Sequence, residues 1–120
     1  MKTKLVLFII FINLMACASN GNAAERKSVK PRYYIPAEEL QTIIGVNDAL
    51  DIISRSRPMW LRGKGMGATV YMNGIQMGGL DALNSISVDI IKDIKFLTPS
   101  EATTMYGTNN MGGVIEIRTR

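Results

Sequence analysis

The sequence predicts an α+β fold: a small open sheet, mixed or antiparallel, with two or three short helices. Three stretches carry that expectation. Ala68 to Asn73 and Ile75 to Met77 are strand-like runs joined by Asn73-Gly74, a pair that accepts the positive φ a two-residue hairpin turn demands. Val114 to Thr119 alternates, setting Val114, Glu116 and Arg118 against Ile115, Ile117 and Thr119, the period of a strand. Ala49, Leu50, Ile52 and Ile53 recur at helical spacing, and Pro58 closes that run because a proline cannot extend a helix.

The first residues are read differently. Lys2 and Lys4 precede an unbroken apolar run, Leu5 to Ile12. A basic start followed by a short apolar segment is a secretory signal, and the run falls short of the roughly 20 residues needed to span a bilayer core. Leu14-Met15-Ala16-Cys17 follows and resembles the bacterial lipobox. That resemblance implies that residues 1–16 are a lipoprotein signal peptide and Cys17 the acylated first mature residue. Cys17 is the single cysteine, and acylation disposes of a thiol that could form no internal disulfide in an oxidising compartment. Residues 17–34 are small, polar and basic and are expected to form a flexible tether; residues 35–120 form the body. Of fourteen Lys and Arg, two leave with the signal, so twelve remain against ten Asp and Glu. No dense basic stripe for nucleic acid is present.

Within the body, Ile35 to Leu40 reads as a short extended entry. Asn47 is the expected N-cap of the helix carrying Ala49 and Ile53, with Asp48 at its positive end. Trp60 and Leu61 are expected to tuck onto the core from a glycine-broken loop. Leu80 to Leu83 reads as one helical turn, and Val88, Ile90 and Ile91 as an apolar knot. Ile94 to Leu97 reads as a strand with Lys95 outward, and Pro99 opens a helical turn. Gly107, Gly112 and Gly113 are expected to relieve a tight backbone, as Asn73 and Gly74 do at the hairpin. Met72 and Met77 are assigned to core filling, and Met59, Met66, Met105 and Met111 to surface or loop positions.

Several blocks in order carry a family likeness: Val70-Tyr71-Met72-Asn73-Gly74, then Leu83 to Ile86, Val88 to Phe96, Pro99 to Gly107 and Gly112 to Thr119 (GGVIEIRT). Together they resemble the plug domain of TonB-dependent receptors, over roughly residues 35–120. Full receptors follow the plug with a barrel and precede it with an energy-coupling box. Neither is legible here, so the resemblance implies a small lipoprotein carrying a plug without a pore.

Chemistry is hard to assemble from this composition. The chain has no histidine, which removes the commonest general base and metal ligand. Glu38-Glu39 reads as a solvated helix start, and Asp89 with Asp93 as the wet rim of an apolar cluster. No catalytic residue, metal site or cofactor is expected, and the chain is read as no enzyme. Arg62 followed by Gly63, Lys64, Gly65 and Gly67 forms an interaction loop on this reading, with Asn109 and Asn110 on a second. The expected function is an outer-membrane-anchored, periplasm-facing lipoprotein whose plug-like body binds protein. Its partners are the membrane, through the lipid, and an outer-membrane barrel or other envelope protein. The alternative is accessory binding of an iron chelate, cobalamin or glycan for uptake.

Overall fold

The computed structural model describes residues 31–63 and 66–120. The signal peptide, Cys17 and most of the tether lie outside the described residues, as do Lys64 and Gly65. Five strands form one sheet: β1 (Tyr34–Ile35), β2 (Thr69–Met72), β3 (Ile75–Gly78), β4 (Ile91–Leu97) and β5 (Val114–Thr119), in the spatial order β1-β4-β5-β2-β3. Every neighbouring pair is antiparallel except β2 with β5. The expected α+β class with a small mixed sheet is therefore found, and the last strand occupies the centre of the sheet. That position follows from its sequence: Ile115 and Ile117 face one side and Val114 the other, all fully buried, as suits a strand covered on both faces.

One face holds the main core. Helix α1 (Ala37–Thr42) contributes Leu40 and α2 (Ala49–Ser56) contributes Ala49, Ile52 and Ile53. The 3-10 turns 58–61 and 80–85 add Trp60 and Leu83. All pack on Val70, Ile91, Ile94, Ile115 and Ile117. The other face carries α3 (Pro99–Tyr106), whose Ala102 meets Tyr71, Leu97 and Val114, with Tyr106 stacked on Tyr71 at 4.1 Å between ring centres.

Local chemistry sets the helix ends. The N-cap of α2 is Asp48 rather than Asn47: Asp48 accepts the Asp51 N–H at 2.9 Å, and Asp51 in turn accepts the Asn47 N–H at 3.2 Å. Helix α3 opens on a capping box between Thr98 and Glu101, which satisfies amide donors that the first turn leaves orphaned. The hairpin turn is as expected, with φ of 50° at Asn73 and 83° at Gly74. Asn73 also joins two elements, its side chain donating to Thr119 Oγ1 at 2.8 Å and accepting the Thr119 N–H.

Further expectations change. Ile35 to Leu40 is extended only through Ile35 and is helical from Ala37, as α1. Ile90 is exposed and only Val88 and Ile91 join the core, because residues 88–90 turn outward in a 3-10 segment. Met77 is exposed on an edge strand, whereas Met72 packs on the core as expected. Glu39 is buried, paired with Arg57 at 2.9 Å, and Asp93 is buried against Arg118. Both were expected in water; a cation from a distant element makes burial of each carboxylate tolerable.

Candidate interaction surface

The parallel pair decides where the loops go. Thr69 stands beside Val114 at the starts of β2 and β5, so the segments feeding both strands arrive at the same end of the sheet. The two loops singled out in the sequence, 62–67 and 108–113, are thereby brought into contact. A Cβ on Gly112 would overlap the carbonyl oxygens of Gly67 and Met66, and one on Gly113 (φ +88°) would lie 2.8 Å from Leu97 O. Only glycine fits at either place. Gly107, at φ +92°, ends α3.

The loop residues divide sharply. Arg62 and Asn109 are exposed, and Met66 and Met111 are 61% and 64% exposed. Asn110 is 2% exposed. It was expected to offer a contact and instead braces the turn, its Nδ2 donating to the carbonyls of Tyr106 and Gly107, both at 3.3 Å. Its Oδ1 has no hydrogen-bond partner among the described residues. Lys64 lies outside them.

The chain enters the body at this same end. Tyr34 pairs with Lys95, and Phe96 N–H donates to Tyr33 O, so the residues before Tyr34 run toward Leu97 and Val114. Residues 31–34, assigned to the tether by composition, are held rather than loose. Arg57 donates through Nε and Nη2 to Pro31 O (3.0 and 2.9 Å) and through Nη2 to Tyr34 O (3.1 Å). Trp60 donates its indole N–H to Arg32 O at 3.1 Å and stacks on Phe96. No sequence signal marks Arg57 for this duty. It follows an amphipathic helix and precedes a proline, where an arginine reads as a solvated C-terminal cation.

These side chains also close one edge of the sheet, because they take the outward carbonyls of β1. Among the described residues the opposite edge, β3, stays open. Met72 and Ile75 flank a two-residue turn and form its hydrogen-bonded pair, so the Gln76 N–H and C=O point away from β2. Ile75 is 68% exposed. The strand Ile75-Gln76-Met77-Gly78 bears no charge or proline; its protection is limited to its short length and an irregular register opposite Val70 and Tyr71.

Arg118 grips Asp93, which holds the guanidinium pKa above its ordinary value, and Tyr34 OH donates to the same carboxylate at 3.3 Å. Tyr106 OH donates to Glu116 at 3.0 Å; partial burial and that carboxylate raise its pKa. Hydrogen bonds from the Thr98 backbone and hydroxyl lower the pKa of Glu101. Among the described residues, no group of three or more metal-ligating side chains converges, and no helix is long and apolar enough to cross a membrane. A cavity of about 130 Å³ lies at the opposite end, lined by Leu40, Gln41, Val88, Asp89 and Arg120.

A mixed sheet with helices on both faces and glycine-tight loops gathered at one end defines a small α+β scaffold that presents loops and one free edge. A family model for the TonB-dependent receptor plug domain matches residues 26–114, well over half of the chain. The chain belongs to the TonB-dependent receptor plug domain family, which makes it a TonB-receptor-related envelope protein. Neither the curated proteins nor the solved structures gave a significant match.

Proposed function

We propose that the chain is an outer-membrane lipoprotein, cleaved before Cys17 and acylated there, whose plug body is a protein-interaction module facing the periplasm. The observation that carries this reading is the asymmetry of the sheet. One edge is sealed by Arg57 and Trp60, while β3 offers the Gln76 amide and carbonyl with exposed Ile75 and Met77 beside them. An extended segment of a partner can add a strand there, main-chain bonds supplying affinity and the flanking side chains selectivity. An envelope protein, an outer-membrane barrel among the candidates, is the partner this reading calls for.

Capture from detergent-solubilised envelopes tests it, with the full chain as bait and Gln76→Pro as the matched control. Proline removes the outward N–H at an edge position, where it is tolerated. An envelope protein recovered by the native chain and lost with Gln76→Pro supports the module. Equal recovery by both, or none above background, rejects edge pairing.

The small-ligand reading draws on the exposed Arg62 and Asn109 at the converged loops. The cavity of about 130 Å³ is below the roughly 300–1,000 Å³ of ordinary ligand pockets and far from those loops, so it is not where Arg62 and Asn109 would hold a chelate, cobalamin or glycan. Thermal shift with these compounds tests that reading, since ligands bound to the native state raise Tm.

A further inference from the structure

The sheet end that gathers the loops is also the end from which the tether leaves, and we infer that this end is a membrane-docking surface that lies on the lipid headgroups. The inference rests on the anchor reading of Cys17 and goes beyond it by orienting the body.

Three observations converge. First, Pro31 and Arg32 are fastened at this end by Arg57 and Trp60. Cys17 is fourteen residues before Pro31. Fourteen residues reach at most about 50 Å when fully extended, so an anchored Cys17 holds this end of the sheet within that distance of the membrane. Second, the end is studded with large exposed apolar side chains on separate segments: Tyr33 (42%), Met59 (54%), Met66 and Met111. Methionine is flexible enough to settle into an irregular headgroup layer, and tyrosine favours the boundary between water and lipid. Third, cations accompany them. Arg32 lies over the Tyr33 ring, 5.4 Å from its centre, and Arg62 is exposed on the loop. Glu101 and Asp81 are the acidic groups on segments that begin near this end.

A lipid chain plus a basic and apolar contact is the two-part attachment that makes peripheral binding stable. A protein face would also accept exposed methionines. The lipid surface is favoured because the chain enters the body at this end, which keeps it within reach of the membrane that holds an acylated Cys17. Docked in this way, the strands run up from the membrane and β3 stands clear of it, so lipid contact and partner contact occupy different surfaces.

The test uses the full chain as isolated from cells, reconstituted into phosphatidylethanolamine–phosphatidylglycerol vesicles doped with a phospholipid carrying a photoactivatable diazirine in its acyl chain near the headgroup. Lipid adducts are mapped by mass spectrometry. Ile75 and Ile90, similarly exposed but at the hairpin end, are internal controls. The surface assignment predicts adducts on Tyr33, Met59, Met66 and Met111 at least about fivefold above those on Ile75 and Ile90, and a drop to the control level in the Met66→Glu, Met111→Glu double variant, since a carboxylate resists leaving water. Even labelling of both ends overturns it. So does protection of the loop end from lipid and from a water-borne label alike, which would mark a protein contact. The mass of the N-terminal peptide, read in parallel, judges the anchor separately. Unmodified Cys17 with loop-end adducts removes the anchor and keeps the surface; acylated Cys17 without them does the reverse.

Discussion

Replacing Arg57 by methionine should be the most damaging single change in the body. The guanidinium meets Glu39 in a two-pronged pair, Nη1 to Oε1 and Nη2 to Oε2, both 2.9 Å. It also donates to Pro31 O, Tyr34 O and Ser56 O. Both side chains are almost wholly buried. Methionine fills much of the volume but takes from the buried Glu39 carboxylate the charge and both hydrogen bonds of Arg57, a loss of about 3–5 kcal/mol. The freed carbonyls of Pro31 and Tyr34 lie near the surface and can be rehydrated, so they add little. Glu39→Gln is milder, about 1–3 kcal/mol, because the arginine keeps its carbonyl acceptors and the amide still offers an oxygen. Domains of this size hold only about 5–15 kcal/mol in total, so Arg57→Met removes a large share. Urea unfolding with linear extrapolation measures both changes, and the double variant should cost less than the sum, by about 0.5–3 kcal/mol. Hydrogen exchange adds a local readout: the Phe96 amide, bonded to Tyr33 O, should lose protection first. A cost below about 1 kcal/mol for Arg57→Met, or a larger cost for Glu39→Gln, would refute the claim that this pair staples the chain's entry to the body.

Gly112→Ala should lower stability by about 1–3 kcal/mol or more, because its Cβ meets backbone carbonyls that cannot move aside independently; Gly79→Ala, with open space around it, should be far milder in the same melt. Thr98→Ala should cost about 1 kcal/mol through loss of the α3 cap. Glu101 titrates below its ordinary 4.5 in the folded chain, so its contribution is complete above that pH and is lost as pH falls through the lowered value; the stability gap between native chain and Glu101→Gln should close on acidification below pH 4.5. Tyr106 carries the opposite sign: its raised pKa makes its contribution complete below pH 10.0 and lost as pH climbs through the raised value, so Tyr106→Phe should unfold with a flatter alkaline limb than the native chain.

Much of this fold was legible because its signals are local. The Asn73-Gly74 turn, the alternation from Val114 to Thr119 and the proline stop after α2 each depend on residues a few positions apart, and each appears where those residues put it. The start of α3 was legible from Pro99, though its capping box between Thr98 and Glu101 was not singled out. What escaped was long-range. Nothing near Glu39 announces that Arg57 will enclose it, nor does anything near Asp93 announce Arg118, so both carboxylates read as solvated until the topology brought their cations. The central place of β5 depends on a parallel partner more than forty residues upstream, for which no hairpin chemistry speaks. The loops were identified as segments, but their meeting depends on that same parallel pairing. Asn110 misled because a polar residue in a glycine-flanked turn resembles a contact, whereas here its amide braces the carbonyls of Tyr106 and Gly107. Open β3 against closed β1 is likewise a property of the assembled sheet.

The central claim, an envelope interaction module working through its free edge, is tested most directly by photo-crosslinking in living cells. A benzophenone amino acid replaces Gln76 on β3, with Ser54 on the exposed back of α2 as the matched position. The account predicts a discrete adduct of defined mass from position 76, an envelope protein by mass spectrometry, and none from position 54. Equal labelling at both positions, or an unshifted band at 76 while the chain is present in the membrane fraction, would contradict it.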